Sequence, residues 1–581
     1  APLCPATVLA LLHERAGLQG HLPVAARAVV LHHAALLQRD DLLHFLLPII
    51  QMTKVEAAEQ CESPLSAPLA GTLEESLEQP ADLQGLGEVR KVRSQTGVTA
   101  ERKTSKSKWT LSSILSLSAE SLDRLPRQSS HNFPLRLLSL ASVVMSRAIF
   151  LADATADCLV LYLAYWVLKA EAQGCGMFRS MASQLLFHCP KHLQRAIILQ
   201  QSLLLRLVDI ARACKGVAAS KRTSHLQSSL PSLGVPLYKC TDSGSVVCDA
   251  TPVVTTHTEL SLPLSGSTHA KGILTSQCRV MDSARAPLWL TFVVQDEPTS
   301  TPGESLCPVL LKEGDDCRQD MFILQVIMLI DRIWKSHGLD MCVKTYECVT
   351  IDQNVAIIEC LRNSTTIASI NKWAGGAMQV FRKSTLKEWL HAKNPTEEGF
   401  EKATQHFLYS CAGYCVITYL LGIADRHNDN IMMVEDGHLV HIDYGHILGN
   451  VKTRLGISRE RSPFVLTPQF AEVLDGAGSP LFMKFLQLCC DAFSLLQPHR
   501  GLFLQLFRML IPAQLPELRS MDDLRYLHEA FSDESSFPIK DLVVPLPPGH
   551  PLEAKKMTRL VFFSLGAWSR QVDDALHIIA H

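Results

Sequence analysis

No stretch of this chain is apolar for long enough to cross a bilayer. The longest such run, Cys158 to Leu168, is about half of the roughly 20 residues that a spanning helix needs. Arg147, Asp153 and Asp157 flank it, so a buried helix is expected. Net charge is nearly absent too. The 55 Lys and Arg against 57 Asp and Glu leave −2, which excludes a global attraction to nucleic acid or to an anionic membrane. No nucleic-acid partner is expected. The 18 cysteines follow no zinc-binding spacing, and Cys158, Cys415, Cys489 and Cys490 sit inside apolar runs. They read as reduced, buried thiols of an intracellular protein. There is no signal peptide and no internal repeat. Neither G-x-x-x-x-G-K-[ST] nor G-x-G-x-x-G occurs, so nucleotide phosphates would have to be held another way. The first residue is Ala1 and helical patterning begins by about residue 6; the expectation is a chain truncated at its amino-terminal end.

What is present is enough for two to four domains: 581 residues, 47% of them hydrophobic. Residues 1–215 read as an all-helical accessory domain. Val24–Leu37 is rich in Ala, Leu and Val, and Asp40 caps a second apolar helix. A polar Ser/Glu/Gln/Lys stretch at about 56–132 reads as a disordered insertion. Helical periodicity returns at about 134–172 and 176–214. Residues 216–260 form a polar Ser/Thr/Pro-rich linker. From 261 the pattern becomes α+β. Short strands are expected at Cys278–Met281, Leu288–Val294, Val309–Lys312, Cys342–Val349 and Val355–Leu361, with one long helix over about 316–336. After residue 384 the chain is mainly helical apart from one hairpin. Its last helix, about Met557 to Ile579, carries an apolar stripe that suits a membrane surface or a core equally.

The hairpin is where chemistry concentrates. Asp425-Arg426-His427-Asn428-Asp429-Asn430 leads into Ile431–Glu435. Asp436-Gly437 turns the chain, and His438–Ile442 returns it to Asp443-Tyr444-Gly445. A two-residue Asp-Gly loop places Glu435 opposite His438 and Val434 opposite Leu439. Continued outward, Asn430 falls opposite Asp443, with Cβ atoms about 5 Å apart. An amide oxygen and a carboxylate so placed suit Mg²⁺, which fills its remaining positions with water and phosphate oxygens. The five-residue spacing from Asp425 to Asn430, followed by Asp-x-Gly after a hairpin, is that of a kinase catalytic loop and its metal-binding aspartate.

Ser410 through Asn450 resembles the catalytic core of the phosphatidylinositol 3-kinases, with mild departures at Ala424 (usually Gly) and Tyr444 (usually Phe). The resemblance implies a two-lobed, protein-kinase-like catalytic domain over 261–581, divided at about residue 361, behind an all-helical domain. It implies that Asp425 and His427 handle the proton of an inositol hydroxyl, that Arg426 braces the loop, and that Asn430 and Asp443 bind the metal. An imidazole with a pKa of about 6.5 trades protons at neutral pH, which favours His427.

Other motifs fit the same family. Met281-Asp282-Ser283-Ala284-Arg285-Ala286-Pro287-Leu288-Trp289 resembles its phosphate-covering loop, with Ser283 over the β/γ-phosphates. Lys312-Glu313-Gly314-Asp315-Asp316-Cys317-Arg318-Gln319-Asp320 resembles its strand-to-helix turn, with Cys317 where Leu is usual. Lys312 is implied at the α-phosphate, with Asp320 and Tyr346 deep in the ATP pocket. The backbone of Glu359 and Leu361 is implied at the adenine. The basic segment holding Lys452, Arg454, Arg459 and Arg461 resembles the class I loop facing the lipid headgroup, although each exposed pair it makes is worth only about 0–1 kcal/mol. The helical region looks more like class III. The implied cofactors are ATP and Mg²⁺, with Mn²⁺ as a substitute. The implied partners are a phosphoinositide in a membrane and a regulatory subunit. The implied setting is the cytoplasmic side of an endosomal or plasma membrane, in signalling, trafficking and autophagy. Three rivals stand beside this reading: a phosphatidylinositol 4-kinase, which usually has Gly at Asp429; a related protein kinase, which usually has Pro-Ser in the loop; and an inactive scaffold, against which all five of Lys312, Asp425, His427, Asn430 and Asp443 speak.

Overall fold

Three helices lead the described part of the chain: α1 (Leu159–Glu171), α2 (Gly176–His188) and α3 (Lys191–Lys215). The structure is a computed structural model. It describes residues 50, 159–172, 176–240, 246–250, 260–264, 269–283, 285–295, 304–376, 382–451, 453–454, 457–458, 462–532, 537–539 and 552–566. The expected helices within 1–49, the insertion at about 56–132 and the helical stretch from 134 to 158 lie outside them. α1 has almost no polar face, and Val160 to Leu168 are each at most 5% exposed. A helix apolar all round belongs inside a protein, which is where α1 lies, packed along a strand of the sheet described next. The helical pattern over 176–214 is present as the two helices α2 and α3. Pro190 stands at the N-cap of α3, where its ring and missing N–H end the preceding helix.

Residues 216–260 are more than a linker. They supply α4 (Arg222–Ser229), β1 (Leu237–Cys240) and β2 (Val246–Ala250), and β3 (Leu260–Ser261) follows. Leu226, Leu230 and Leu233 are buried and anchor this reach despite its polar composition. The sheet continues with β4 (His269–Leu274), β5 (Arg279–Val280), β6 (Leu288–Gln295) and β7 (Glu304–Glu313). After helix α5 (Arg318–Ser336) come β8 (Cys348–Asp352) and β9 (Val355–Glu359). Strand order is β2-β1-β4-β6-β7-β9-β8, with β3 on β4 and β5 on β6. Every pairing is antiparallel except β1 with β4. Cys342–Val349 becomes a strand only from Cys348; Cys342 has φ 49°, which no extended strand accepts.

The second lobe begins with β10 (Ser364–Thr366), α6 (Ile367–Trp373), α7 (Thr385–Lys393) and the long α8 (Glu397–Leu421). Thr396 caps α8 by accepting the Gly399 N–H, and Gly422 ends it in the left-handed region at φ 58°. The Asp436-Gly437 hairpin, β11 (Ile431–Val434) and β12 (Leu439–His441), joins β10 in a three-stranded sheet against α8. β13 (Thr453–Arg454) pairs with β14 (Ile457–Ser458). Helices α9 (Pro468–Val473), α10 (Pro480–Leu496), α11 (Arg500–Leu510), α12 (Arg525–Ala530) and α13 (Leu552–Gly566) complete the lobe. In α13 the described part of the stripe is core, with Met557, Leu560 and Val561 fully buried against α10; the expected continuation to Ile579 lies outside the described residues. No described helix is long and apolar enough to cross a membrane.

Candidate active site

The hairpin register differs from the two-residue reading. Met433 faces Leu439, Met432 faces Val440 and Ile431 faces His441. Val434 and His438 close a three-residue loop, Glu435-Asp436-Gly437. The Val434 N–H donates to the His438 carbonyl, and the Gly437 N–H donates to the Val434 carbonyl, both at 2.9 Å. Gly437, at φ 97°, takes the left-handed bulge position of such a loop. A Cβ there would stand 2.0 Å from the Ala403 carbonyl oxygen, so the tip is pressed onto α8. Asn430 therefore lies opposite Ile442, whose N–H it accepts at 3.0 Å, and not opposite Asp443. Asp443 reaches the site one residue further on, through a left-handed backbone at φ 63°.

Asp425 carries the same unusual backbone, at φ 57°. Non-glycine residues rarely adopt it, and the surroundings hold both in place. Asn430 Nδ2 donates to the Asp425 carbonyl at 2.9 Å, and the His427 N–H donates to that same oxygen at 3.2 Å. With its Nδ2 on Asp425, Asn430 has Oδ1 as the atom that could meet a cation. Arg426 is 4% exposed and braces both strand ends. Its Nε donates to the Ala424 carbonyl at 2.9 Å and its Nη1 to the Ile442 carbonyl at 2.6 Å, while Nη2 bonds the Asp443 carbonyl. His427 Nδ1 accepts the Asp429 N–H at 3.3 Å, which ties the ring to its own loop.

Opposite this loop stand Lys312 at the end of β7 and Asp320 in the first turn of α5. Gly314 allows the sharp turn between them at φ 96°, and its N–H donates to the Asn354 carbonyl at 2.7 Å. Asp320 is buried, and its Oδ1 accepts the Tyr444 N–H at 2.9 Å. Burial, with the negative charge of Asp443 behind it, raises the Asp320 carboxyl to about 6 although Lys312 opposes the shift. Burial alone would raise Asp443 as well, but Lys312 and then Arg426 outweigh it and hold that carboxyl below its usual value. Lys312 is itself pushed upward, because the attraction of Asp443 and Asp320 exceeds the cost of burying its ammonium. One cation thus lies between two carboxylates. Asp443, though crowded by protein atoms, keeps accessible surface through which a ligand can meet it.

Around this centre the other expected residues take their places. The Tyr346 hydroxyl accepts the Asp443 N–H at 3.3 Å. Ser283 is exposed at a tight turn, in which the Ala286 N–H donates to the Ser283 carbonyl at 3.0 Å. An ion pair from Arg285 Nε to Asp315 at 2.9 Å draws that turn toward the one following Lys312. Glu359 and Cys360 use their N–H groups on the Glu347 and Pro308 carbonyls, which leaves Leu361 as the first residue beyond the sheet. Lys452, Arg459 and Arg461 lie outside the described residues, and Arg454 falls on β13.

Sequence reasoning missed three participants. Arg318, 5% exposed, joins Glu171 of α1 at 2.9 Å, Asp316 at 2.7 Å and the Ala513 carbonyl at 3.2 Å. Gln319 and Glu517 grip the chain that follows Asp443. Apart from Asp316, their partners lie far away in sequence. Arg318 and Gln319 do stand inside the Lys312–Asp320 motif, and that position was the available signal. Glu517 had none.

Comparison with known proteins agrees with this geometry. Residues 306–520 match the family described as phosphatidylinositol 3- and 4-kinase. The chain is 36% identical over 421 residues to phosphatidylinositol 3-kinase 3 of Dictyostelium discoideum, covering 72% of this chain and 22% of that protein. It is 35% identical over 375 residues to the mouse (Mus musculus) phosphatidylinositol 3-kinase C2 domain-containing subunit gamma, covering 64% and 23%. It is 32% identical over 438 residues to the human (Homo sapiens) phosphatidylinositol 4-phosphate 3-kinase C2 domain-containing subunit beta, covering 74% and 24%. The chain thus spans under a quarter of the length of each of these relatives.

Proposed function

We propose that this chain, which carries a catalytic domain of the phosphatidylinositol 3- and 4-kinase family in residues 306–520, transfers the γ-phosphoryl group of ATP to the 3-hydroxyl of the inositol ring. The acceptor is phosphatidylinositol or one of its phosphorylated forms. The observation that carries this reading is the Lys312–Asp320–Asp443 arrangement facing the Asp425–Asn430 loop. The names of the relatives point to the 3-position.

The donor set fits a hard divalent ion: an amide oxygen on Asn430 and, on Asp443, a carboxylate kept ionised by its cationic neighbours. Mg²⁺ held by these two, or Mn²⁺ in its place, supplies charge neutralisation for the phosphates. Lys312 binds the α-phosphate as a point cation, and Asp320 keeps it in place. The turn carrying Ser283 covers the β/γ-phosphates. Asp425 and His427 take the proton of the attacking hydroxyl as its oxygen bonds the γ-phosphorus and the bond to ADP breaks, and they pass that proton on to ADP or solvent. Arg426 fixes the spacing of the two strand ends, so that most of the rate comes from positioning. Lys452, Arg454, Arg459 and Arg461 choose among headgroups. The acceptor lies in the cytoplasmic leaflet of an endosomal or plasma membrane, and a regulatory subunit brings the enzyme to it.

Incubation of the purified chain with Mg-ATP and vesicles of phosphatidylinositol, its 4-phosphate or its 4,5-bisphosphate tests this. The product is expected to carry its new phosphate at position 3. A new phosphate at position 4, or none from a folded, nucleotide-binding chain, would overturn it.

A further inference from the structure

Two sets of hydrogen bonds meet at Glu517, which has no part in the proposed chemistry. Its Oε1 accepts the Nδ1–H of His446 and its Oε2 accepts the backbone N–H of Ile447, both at 2.6 Å. Its own backbone N–H donates to Gln319 Oε1 at 3.0 Å, and Gln319 Nε2 donates to the Tyr444 carbonyl at 2.9 Å. The Tyr444 N–H is already given to Asp320. The residues that follow Asp443 are therefore gripped at both polar groups of Tyr444, at the ring of His446 and at the amide of Ile447.

The grip is built where water competes poorly. Gln319 is 1% exposed, and the Glu517 side chain is 15% exposed. Its foundation is firm as well: Leu515 and Leu518, fully buried, bridge the turn that presents Glu517. The position of Asp443 depends on the chain after it, because its left-handed backbone has no glycine to make it easy. A carboxylate can only accept. Glu517 therefore takes its bond from a proton on His446 Nδ1 and fixes the orientation of that ring.

We propose that Glu517 is a positioning residue for phosphoryl transfer: with Gln319 it holds the segment from Asp443 to Asn450 in its working shape. The proposal rests on the kinase reading for its effect on rate, but not for the holding itself. Two readouts keep these apart. Hydrogen exchange over residues 443–450 of the full chain reports the holding without any turnover. In Glu517→Ala, exchange there is expected to quicken while exchange in α10 stays as in the wild type. With lipid as acceptor, kcat is expected to fall by about tenfold to a hundredfold, with KM for ATP within about twofold. Glu517→Gln keeps one acceptor for the Ile447 N–H and guards against a fold lost in the alanine variant. It is expected to regain normal exchange but only part of the rate. Unchanged exchange over 443–450 in a folded Glu517→Ala chain, or kcat within twofold of the wild type, overturns the proposal. An inactive wild type would instead sink the kinase reading, and exchange would still decide whether Glu517 holds the segment.

Discussion

The rings of Tyr346 and Tyr444 lie with planes 8° apart and centroids 6.4 Å apart, so one side chain preceding β8 faces another from the segment that follows Asp443. The same Tyr346 takes the Asp443 N–H on its hydroxyl. Tyr346→Phe keeps the ring pair and removes the acceptor. The expected cost is about 1 kcal/mol of stability and a several-fold fall in kcat, read from a denaturant titration and a lipid-kinase assay. An unchanged kcat would show that the hydroxyl does not help to set Asp443.

Asp443→Asn should abolish turnover and leave the fold intact. The carboxylate is the charged member of the pair proposed to hold the metal, and the first attraction felt by Lys312. Circular dichroism should match the wild type. Activity within tenfold of it would remove Asp443 from the metal site.

Asp320 gives a stability that depends on pH. Its carboxyl titrates at about 6 in the folded chain, above the ordinary 3.8. The folded state therefore binds more protons than the unfolded one between these values, and ionising Asp320 costs stability as pH rises through that window. Asp320→Asn cannot ionise, so it should stabilise the chain at pH 7.5 relative to pH 4 by on the order of 2 kcal/mol. It should also weaken ATP use, because Lys312 loses a partner. Thermal melts at both pH values check the sign; a stabilisation equal at both would refute the cause given.

Glu171→Ala removes one partner from a guanidinium that is buried at the junction of α1, the turn before α5 and the carbonyl of Ala513. Breaking a buried pair from one side costs about 3–5 kcal/mol. Asp316 still faces Arg318, so the lower end is expected, measured by urea denaturation. A loss under about 0.5 kcal/mol, the size of an ordinary surface change, would mean that the pair is solvated.

Gly437→Ala should lower stability by at least about 2 kcal/mol and reduce kcat together with it. The new Cβ meets the Ala403 carbonyl oxygen, and the backbone angle is strained for alanine. Wild-type melting would show that the tip is free of α8.

That glycine also explains what the sequence could and could not reveal. Asp436-Gly437 between apolar runs marked a hairpin, and a hairpin is there. Its loop has three residues rather than two, because Gly437 fits the bulge position against Ala403 of α8, and a helix packed from elsewhere in the chain leaves no trace in a local pattern. One residue of register moved Asn430 from Asp443 to Ile442. Lys312 and Asp320 were legible because a strand, a glycine turn and a helix put them close in sequence as well as in space. Residues 216–260 misled through composition: a few buried leucines outweigh many serines and threonines. Glu517 could not be read at all, since a lone glutamate acquires its role only from His446 and Gln319, which the fold brings to it.

The backbone between Ala424 and Gly449 has a consequence for how such an enzyme can diversify. The Leu448 and Gly449 N–H groups donate to Leu421 and Gly422, and the Ala424 N–H donates to His446. The foot of the segment is thus laced to the end of α8. Residues after Asn450 start from a fixed base, so they can be exchanged without disturbing Asp443. Under the proposed function, the acceptor preference assigned to residues after Asn450 and the phosphoryl chemistry are then separately heritable, and selection can rewrite the first while the second is left intact.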